Sequence, residues 1–342
     1  MPRPVNILMI GHGMMGTWHS EALRDRTDCI LHTLVGKTHD AAANFAERFA
    51  YRKVTTDLHT ALADPAIDAV IIASPSEHHA TMALAAITAG KPALVEIPLA
   101  MTLAACEHLV EAADAAGVMM AVCHPMRFRI CRTPLLVRVR ERSERIVQVQ
   151  GRFCIHRLVN IGATGIRRDW TDNILWHHMT HLVDCGLFLA GGGNPESVRL
   201  RRVEGFMPDS HPVTGIPMDI GLMIETEDGA TIIATGSYLA RERLYEVMTI
   251  TDRDSYRVDE IGGTMTSAAG IETIESEQQN AWRVARDFVI ALQDGRSPLV
   301  TARSVLPAMR VLEQVQRQWD DRFGERDLPG RPLDQFATET KT

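Results

Sequence analysis

The first third of the chain alternates short apolar runs with stretches of helical spacing. The apolar runs occupy residues 6–10, 30–35, 69–73, 92–96 and 118–123. Each run has the length of a strand, and helical patterns separate several of them, as in chains where helices connect parallel strands. This pattern predicts an α/β fold that begins with a doubly wound parallel sheet.

The second half has a different period. From about residue 145 apolar and polar positions alternate, first at 147–150 and again at 218–224, and further strand-like runs follow at 231–234 and 246–251. Such alternation is typical of antiparallel strands with one covered face and one wetter face. We expect an α+β domain on a large, open, mainly antiparallel sheet, which could also join a homodimer or homotetramer.

Helical spacing returns near the C-terminus, at 282–292 and 305–319. The change of period alone indicates where one domain gives way to the next, close to residue 123. We therefore predict a first domain over 1–122 and a second domain over 123–335.

Composition and charge restrict the classes of function. Hydrophobic residues make up 45% and charged residues 23%, as in an ordinary globular protein. A net charge of −7 argues against nucleic acid or an anionic membrane surface as the main partner. No apolar run approaches the ~18 residues of a membrane span. The six scattered cysteines form no C-x-x-C pair, so we expect reduced thiols in a cytoplasmic protein.

A glycine-rich turn follows the first predicted strand. Gly11, Gly13 and Gly16, with Met14 and Met15 between them, form G-x-G-x-x-G between a strand and a helix. In that setting the glycines permit a tight turn, the approach of a pyrophosphate and close helix packing, with phosphate at the helix N-terminus. We expect a dinucleotide-binding Rossmann domain; the alternative is an ordinary glycine-rich turn.

The end of the second predicted strand bears on the choice of cofactor. NAD-binding domains usually carry Asp or Glu there for the ribose hydroxyls, whereas this chain has Gly36, Lys37 and Thr38. A cation and a hydroxyl suit the 2′-phosphate of NADP. We expect NADP, and leave open NAD as a second cofactor and Lys37 as a solvated loop residue.

Three stretches resemble the glucose–fructose oxidoreductase/inositol dehydrogenase (Gfo/Idh/MocA) family. They are the fingerprint at 11–16, SPSEHHATMALAAITAGKPALVEIP at 74–98 and FVIALQDGRSPLVTARSVLPAMRVLE at 288–313. The resemblance implies a Rossmann domain followed by an α/β domain with a large open sheet. It also implies hydride transfer between NAD(P) and, usually, a sugar or polyol carbon.

The same resemblance implies further contacts with the cofactor. They fall on two segments, one after the fourth predicted strand and one after the fifth: Ser74, Pro75, His79, Glu96, Ile97 and Pro98. For Glu96 a structural cap, and for His79 an ordinary histidine at a helix N-terminus, are the alternatives. Where the family commonly has Glu-Lys-Pro, this chain has isoleucine in the middle. Isoleucine can neither bind a substrate hydroxyl nor transfer a proton, so another group must act as base.

Other motifs resemble one branch of the family. They are Glu-Ile-Pro-Leu at 96–99, His124 with the Arg-Phe pair at 127–128, the run at 170–184 and Gly-Ile-x-Met-Asp at 215–219. This branch oxidises the cyclic hemiacetal of a dicarboxylate semialdehyde to 2-pyrone-4,6-dicarboxylate with NADP. The reaction belongs to protocatechuate 4,5-cleavage in the breakdown of lignin-derived aromatic acids. The resemblance therefore implies a small dicarboxylate substrate.

The run ILWHHMTHLVD at 174–184 concentrates ionisable side chains on one predicted helix. Asp172 or Thr171 would be a suitable N-cap, and the three glycines at 191–193 a suitable stop. At about 100° per residue, His177, His181 and Asp184 share one face, and His178 lies beside it.

Three interpretations of this helix face remain open. A zinc site is the first, but the H-E-x-x-H motif is missing and hydride transfer needs no metal, so we expect none. Ordinary polar or core histidines are the second. The third is a general base, since imidazole with its unperturbed pKa of ~6.5 suits removal of a hydroxyl proton. We predict His181 as the base, with His178 and His124 as second-rank candidates, and His177 as a substrate-binding or proton-relaying partner. Asp184 is expected to fix the tautomer, and structural packing is the alternative for it.

Arginine is the natural ligand for a planar carboxylate. Arg127 and Arg168 are our first choices for the substrate, with Arg157 and Arg241 as second choices. His124, His178 and Trp170 complete the predicted substrate site. A sugar, inositol or other cyclic-polyol dehydrogenase is the alternative function, and an NADP-binding regulator without catalysis is a third. Absence of turnover with firm NADP binding would favour the regulator.

Overall fold

The computed structural model describes residues 3–162, 165 and 167–324. Its first sheet consists of β1 (Val5–Ile10), β2 (Cys29–Val35), β3 (Lys53–Thr55), β4 (Ala69–Ile72), β5 (Ala93–Val95) and β6 (Met120–Val122). All pairs are parallel, in the order β3-β2-β1-β4-β5-β6. The strand order therefore reverses between β1 and β4, and ligands of such sheets bind at the carboxyl ends of the strands there.

The helices between these strands are α1 (Met14–Leu23), α2 (His39–Phe49), α3 (Leu58–Ala63), α4 (His79–Thr88) and α5 (Leu103–Ala116). Their ends follow local capping chemistry. Thr102 accepts a hydrogen bond from the Ala105 N–H at the start of α5, and Gly117 ends that helix in the left-handed conformation.

The second part of the chain forms an eight-stranded sheet with four helices. Its elements are α6 (Thr133–Arg140), β7 (Ile146–His156), α7 (Thr180–Ala190), β8 (Leu200–Phe206), β9 (Asp219–Thr226), β10 (Thr231–Ser237), β11 (Leu239–Thr251), β12 (Ser255–Asp259), β13 (Thr264–Ser267), β14 (Gly270–Thr273), α8 (Glu277–Asp294) and α9 (Ala302–Phe323). The order is β14-β13-β12-β11-β7-β10-β9-β8. Only β7 and β10 run parallel; the other neighbouring pairs are antiparallel.

This architecture confirms the predicted fold class. The sequence pattern missed β3 and the three strands β12, β13 and β14, because they are short and β14 is exposed along its whole length. Without a buried face, a strand leaves no hydrophobic alternation to detect.

Helices cover one face of the large sheet. Gly186 of α7 lies against Ile232, where an added Cβ would be 2.5 Å from a methyl carbon, and Gly205 of β8 meets Val315 of α9 at 2.4 Å. The absence of side chains at these positions lets each helix approach the strands closely.

Helix α8 returns to the first sheet. Its residues Val284 and Phe288 are buried in the same cluster as Ile7 and Leu34. The boundary near residue 123 stays a prediction, with β6 ending at Val122; residues 325–335 lie outside the described part. Among the described residues, none of the helices is both long and apolar enough to cross a membrane.

Candidate active site

The glycine-rich turn has the shape of a phosphate-binding loop. Gly11 has a φ of +98°, and a Cβ there would lie 2.3 Å from the Ala73 carbonyl oxygen; a Cβ on Gly16 would lie 2.5 Å from the Gly11 oxygen. Gly13 is different, because a Cβ there would meet a single side chain, at ordinary van der Waals distance. It precedes α1 without a side-chain cap, so the first N–H groups of that helix remain available to an anion. These residues fit the pyrophosphate of a dinucleotide.

Arg168 lies beside this loop. A Cβ built on Gly13 would be 3.8 Å from a guanidinium nitrogen of Arg168. Burial, and after it the charge of Arg168, lowers the pKa of His12 in the same turn. We predicted Arg168 as a substrate ligand, but the structure puts its cation next to the phosphate loop instead.

Lys37 and Thr38 follow β2 at the same edge of the sheet, and both are exposed. Thr38 precedes α2 and makes no side-chain cap with it. Both polar groups are therefore open to a ligand. This placement is compatible with a role at the ribose end of the cofactor, which stays a prediction.

The two segments expected near the nicotinamide are tied together by His79. Its Nδ1 lies 2.7 Å from the Pro98 oxygen and its Nε2 lies 2.9 Å from the Ser74 oxygen. The Ile97–Pro98 peptide bond is cis. His79 is buried, and both of its ring nitrogens are occupied. Its side chain thus positions the segments around Ser74 and Pro98 rather than facing a ligand, contrary to the prediction.

Glu96 is also occupied inside the protein. Its Oε1 lies 2.6 Å from Nε2 of His19, and both residues are buried. Burial alone would raise the pKa of Glu96, but the hydrogen bond and charge of His19 lower it below its ordinary value. The predicted direct contact of this carboxylate with the cofactor is therefore not supported, because its charge is already partnered.

His19, Glu96 and Cys123 could be read as a metal-ligand group, since one donor atom of each lies within 4.8 Å of the others. Burial and Glu96 raise the pKa of the Cys123 thiol well above its usual value, and Glu96 already pairs with His19. Over 3–162, 165 and 167–324 this is the only such grouping found. The three histidines of the 174–184 run do not converge as metal ligands.

The helix that carries the histidines begins differently from the prediction. Residues Leu175–Met179 form a π-helical turn before α7. The cap is Asn173, whose Oδ1 accepts from the N–H groups of Leu175 at 2.9 Å and Trp176 at 3.3 Å. The single regular helix that we expected from Asp172 or Thr171 is therefore wrong at its start. π turns occur frequently at functional sites.

The π turn gives His177 a carboxylate partner that helical spacing did not indicate. Its Nδ1 lies 3.0 Å from Oδ2 of Asp172, which also accepts from the hydroxyl of Ser76 at 2.9 Å. Burial would raise the pKa of Asp172, but His177 and the Ser76 hydrogen bond lower it, so the carboxylate is charged. The imidazole remains 31% exposed. Ser76 belongs to the first domain, so this chain of contacts joins both parts of the molecule.

His181 has no such partner. It is half-buried, and its buried Nδ1 makes no hydrogen bond within the described residues. Its ring meets that of His124 edge to face, with centroids 5.4 Å apart. Burial, and secondly His124, lowers the pKa of His181 to about 3. Burial likewise lowers the pKa of His124 to about 4.

Asp184 does not fix the tautomer of His177 or His181. It accepts from Arg127, with a distance of 2.8 Å from Nε to Oδ2, and lies 3.2 Å from Nδ1 of His124. Arg127 also donates to the hydroxyl and carbonyl of Ser304, both at 2.9 Å. The guanidinium is 1% exposed. Arg127 therefore forms an internal ion pair with Asp184, and its predicted role as a substrate ligand is wrong.

An aromatic wall lies beside His177. His178 stacks on Phe153 with centroids 3.6 Å apart, and its Nδ1 lies 2.8 Å from the Tyr238 hydroxyl. Trp170 stacks on Tyr238. The Arg157 guanidinium lies over Trp170 at 5.2 Å and donates to Oδ1 of Asn160. His178, Trp170 and Arg157 thus form one group of contacts, and a substrate-binding role for His178 and Trp170 stays a prediction. Arg241 lies exposed on β11.

Sequence reasoning missed several residues of this site. Asp172 was noticed only as a helix cap, and Ser76, Asn160 and Tyr238 were not noticed at all. A π turn gives no signal in a 3.6-residue period. Tyr238 is 60 residues from His178, so only the folded sheet brings them together.

Two family models match consecutive parts of the chain. Residues 5–124 match the model described as oxidoreductase family, NAD-binding Rossmann fold, and residues 135–257 match bacterial oxidoreductases, C-terminal. The chain is 28% identical over 317 residues to 4-carboxy-2-hydroxymuconate-6-semialdehyde dehydrogenase of Sphingobium sp., covering 92% of this chain and 98% of that protein. It is 39% identical over 119 residues to inositol 2-dehydrogenase of Acidothermus cellulolyticus, 34% of each chain.

Solved structures share the fold over nearly the whole chain. Levoglucosan dehydrogenase, in complex with NADH and L-sorbose, is 19% identical with a TM-score of 0.80 and covers 94% of this chain and 98% of its own. GenD2 from gentamicin A biosynthesis, in complex with NAD, is 23% identical with a TM-score of 0.78 and covers 94% and 95%. At 19% and 23% identity the likeness shows a shared fold and nothing more.

Proposed function

Because the chain belongs to the Gfo/Idh/MocA oxidoreductase family, we propose that it oxidises the cyclic hemiacetal of 4-carboxy-2-hydroxymuconate-6-semialdehyde to 2-pyrone-4,6-dicarboxylate. The cofactor in this proposal is NADP, and the reaction is a step of protocatechuate 4,5-cleavage in the cytoplasm. The observation that carries the proposal is the His177–Asp172 pair, which adjoins Ser76 at the carboxyl edge of the first sheet. The full-length likeness to the Sphingobium protein supports the choice of substrate.

Oxidation of a hemiacetal carbon removes a hydride from the carbon and a proton from its hydroxyl. The nicotinamide, when bound, accepts the hydride. His177 is the group that takes the proton: Asp172 holds Nδ1, so Nε2 is left to face the substrate hydroxyl. This arrangement of a base and an orienting carboxylate stabilises the imidazolium that forms. We therefore transfer the role of base from His181 to His177.

Arg157 is our revised choice for holding a substrate carboxylate. It lies over Trp170 and Tyr238, and its charge helps to lower the pKa of both Asp172 and His178 after the larger contributions to each. The Arg157 side chain hydrogen-bonds Asn160 and Tyr238, and because a guanidinium offers five donors in a planar fork, further donors are left for a ligand. A planar dicarboxylate fits such a fork.

A cyclic-polyol dehydrogenase is the second candidate. The identity to inositol 2-dehydrogenase over about a third of the chain favours it, whereas Ile97, in place of the family's lysine, counts against it. The deciding experiment measures initial rates of NADP and NAD reduction with freshly prepared semialdehyde, and with myo-inositol and sugars in parallel. Fast formation of pyrone dicarboxylate supports the proposal. Turnover of polyols alone would replace it, and firm NADP binding without turnover on any substrate would favour a regulator.

The cofactor assignment has its own test. Lys37→Ala should raise the Michaelis constant for NADP and leave that for NAD unchanged, because only NADP carries the 2′-phosphate. Arg168→Gln should raise both constants alike, since its guanidinium lies beside Gly13, where the pyrophosphate common to both cofactors approaches. Equal effects of the lysine variant on both cofactors would contradict the NADP preference.

The uncovered face of the large sheet is our proposed subunit interface. A row of paired positions crosses this face from β9 to β11: Met223, Ile233, Gln150 and Met248. Met223 is 49% exposed. Exposed apolar side chains on a sheet face favour association. Analytical ultracentrifugation should give a dimer or tetramer for the native chain and a smaller species for Ile233→Glu.

A further inference from the structure

A cleft of about 730 Å³, separate from the candidate active site, lies between α8, the turn that follows α8 and the segment before α6. None of the residues that line it belongs to the phosphate loop or to the run at 170–184. Six of its lining residues are arginines: Arg26, Arg127, Arg129, Arg283, Arg286 and Arg296. Such a concentration is unexpected in a chain with a net charge of −7.

Five of these six arginines form ion pairs with carboxylates of the chain. The ion pairs are Arg26–Asp28, Arg127–Asp184, Arg129–Glu260, Arg283–Glu275 and Arg296–Asp287. Arg286 is the exception, since it has no ion pair within the described residues. Its Nε donates to the Ala22 carbonyl at 3.2 Å, and its guanidinium lies 5.5 Å from the Trp282 ring. The two terminal nitrogens of Arg286 are left for a ligand.

The lining residues of α8 form one stripe. Arg283, Arg286, Asp287 and Ile290 follow the i, i+3, i+4, i+7 spacing of a single helix face. On the opposite side Val284 and Phe288 are buried against the first sheet, which fixes the direction of the stripe. The arginines are therefore held on a rigid element. Arg286 is the cation of this stripe whose charge no carboxylate of the described residues balances, and it can attract an anion from solution.

We propose that this cleft is a binding site for a small anion with two or more carboxylate or phosphate groups. Its volume falls within the usual ~300–1,000 Å³ of small-molecule sites. Arg286 supplies a free planar fork, and Arg283 and Arg26 lie beside it with partly solvated charges. Guanidinium groups bind both kinds of oxyanion with two parallel hydrogen bonds. The site is independent of the proposed hemiacetal oxidation.

The test is titration calorimetry of the full chain saturated with NADP, in buffer of low ionic strength. Citrate is the carboxylate probe and pyrophosphate the phosphate probe. We expect at least one of them to bind at millimolar or lower concentration, and binding to weaken as chloride is added. Preference for citrate identifies a carboxylate ligand, and preference for pyrophosphate identifies a phosphate ligand. If neither probe binds, the proposal is overturned.

Variants assign the binding to the cleft. Arg286→Gln should weaken it about tenfold, as expected for loss of one charge-assisted interaction. Ile290→Glu should abolish it by placing an anion in the cleft without removing any arginine. Arg157→Gln, in the candidate active site, and Arg317→Gln, on the exposed side of α9, should leave it unchanged. Thermal unfolding checks that each variant folds. Equal affinity in the native chain and both cleft variants would overturn the assignment.

Discussion

Two aspartates lie against histidines at the two ends of the same helical segment, and their surroundings differ. Asp172 meets His177, whose ring is 31% exposed, and it has no arginine ion pair within the described residues. Asp184 lies 3.2 Å from His124, but its charge is neutralised by Arg127, and all three side chains are buried. The first arrangement leaves the His177 ring partly open to solvent. The second holds α7 against the segment before α6 and against α9.

An aspartate near a histidine is therefore not by itself a catalytic pair. At His124 burial lowers the pKa, and the opposing attraction of Asp184 does not outweigh it, while the charge of Arg127 lowers it further. A carboxylate whose main partner is the imidazole stabilises the imidazolium form. We therefore expect the His177–Asp172 pair to act in catalysis and Asp184 to stabilise the fold.

The largest expected effect separates His177 from His181. His177→Asn should lower kcat by roughly 10²–10⁴-fold, the usual contribution of a general base, with cofactor affinity near normal. His181→Asn should lower kcat by less than about tenfold, because a half-buried imidazole with a pKa of about 3 is a poor base near neutral pH. Steady-state rates at saturating NADP and a binding titration of NADP measure both quantities.

The opposite result for the two histidine variants would assign the base differently. If His181→Asn abolishes turnover and His177→Asn retains it, the base is His181, as the family resemblance implies, and the His177–Asp172 pair only positions the substrate. The pH profile of kcat distinguishes these cases further, since a positioning role should leave its shape unchanged.

The second effect concerns stability. Asp184→Asn leaves Arg127 buried without its counter-charge, which should cost about 3–5 kcal/mol in the free energy of unfolding. Asp172→Asn should cost no more than about 1 kcal/mol, since asparagine can still accept from Ser76. Urea unfolding at neutral pH measures both. Similar losses for the two variants would mean that Asp172 is as structural as Asp184.

Part of this fold and site could be predicted from the sequence alone. The phosphate loop was predictable because Gly11, Gly13 and Gly16 act within one turn, and the contacts that require glycine there are local or with the next strand. The positions of most buried strands along the chain followed from apolar runs. Fold class and cofactor class were therefore accessible without coordinates.

The roles within the helix were not accessible in the same way. A 100° period assigned His177 and Asp184 to one face, and the π turn at Leu175–Met179 altered that geometry. Arg127 and Asp184 are 57 residues apart, so a buried ion pair could not be told from a substrate-binding arginine. Both errors arise where tertiary contacts, rather than local spacing, decide the partner of a charged group.

The third effect contrasts Arg127, our first choice from the sequence as a substrate ligand, with Arg157, a second choice. Arg157→Gln should raise the KM for a dicarboxylate substrate by roughly 10–100-fold, the loss of one bidentate charge-assisted contact, with unfolding nearly unchanged. Arg127→Gln should instead destabilise the fold, because Asp184 then lies buried without its cation. A substrate affinity unaffected by Arg157→Gln would return the question to Arg168 and Arg241.

The smallest effect is a dependence of stability on pH. In the folded chain burial lowers the pKa of His124 to about 4, from the 6.5 expected when the chain is unfolded. Between these values the unfolded chain binds more protons than the folded chain, so stability falls as the pH is lowered from 6.5 toward 4. One proton contributes at most about 1.4 kcal/mol per pH unit.

His124→Asn should therefore flatten the decline of the unfolding temperature in this window, whatever it costs at neutral pH. His59→Asn, at an exposed position of α3, should leave the slope unchanged. Differential scanning calorimetry between pH 4 and pH 7 supplies the slope. An unchanged slope in the His124 variant would mean that this imidazole is not held neutral by burial, and the contrast with the half-exposed His177 would lose its physical basis.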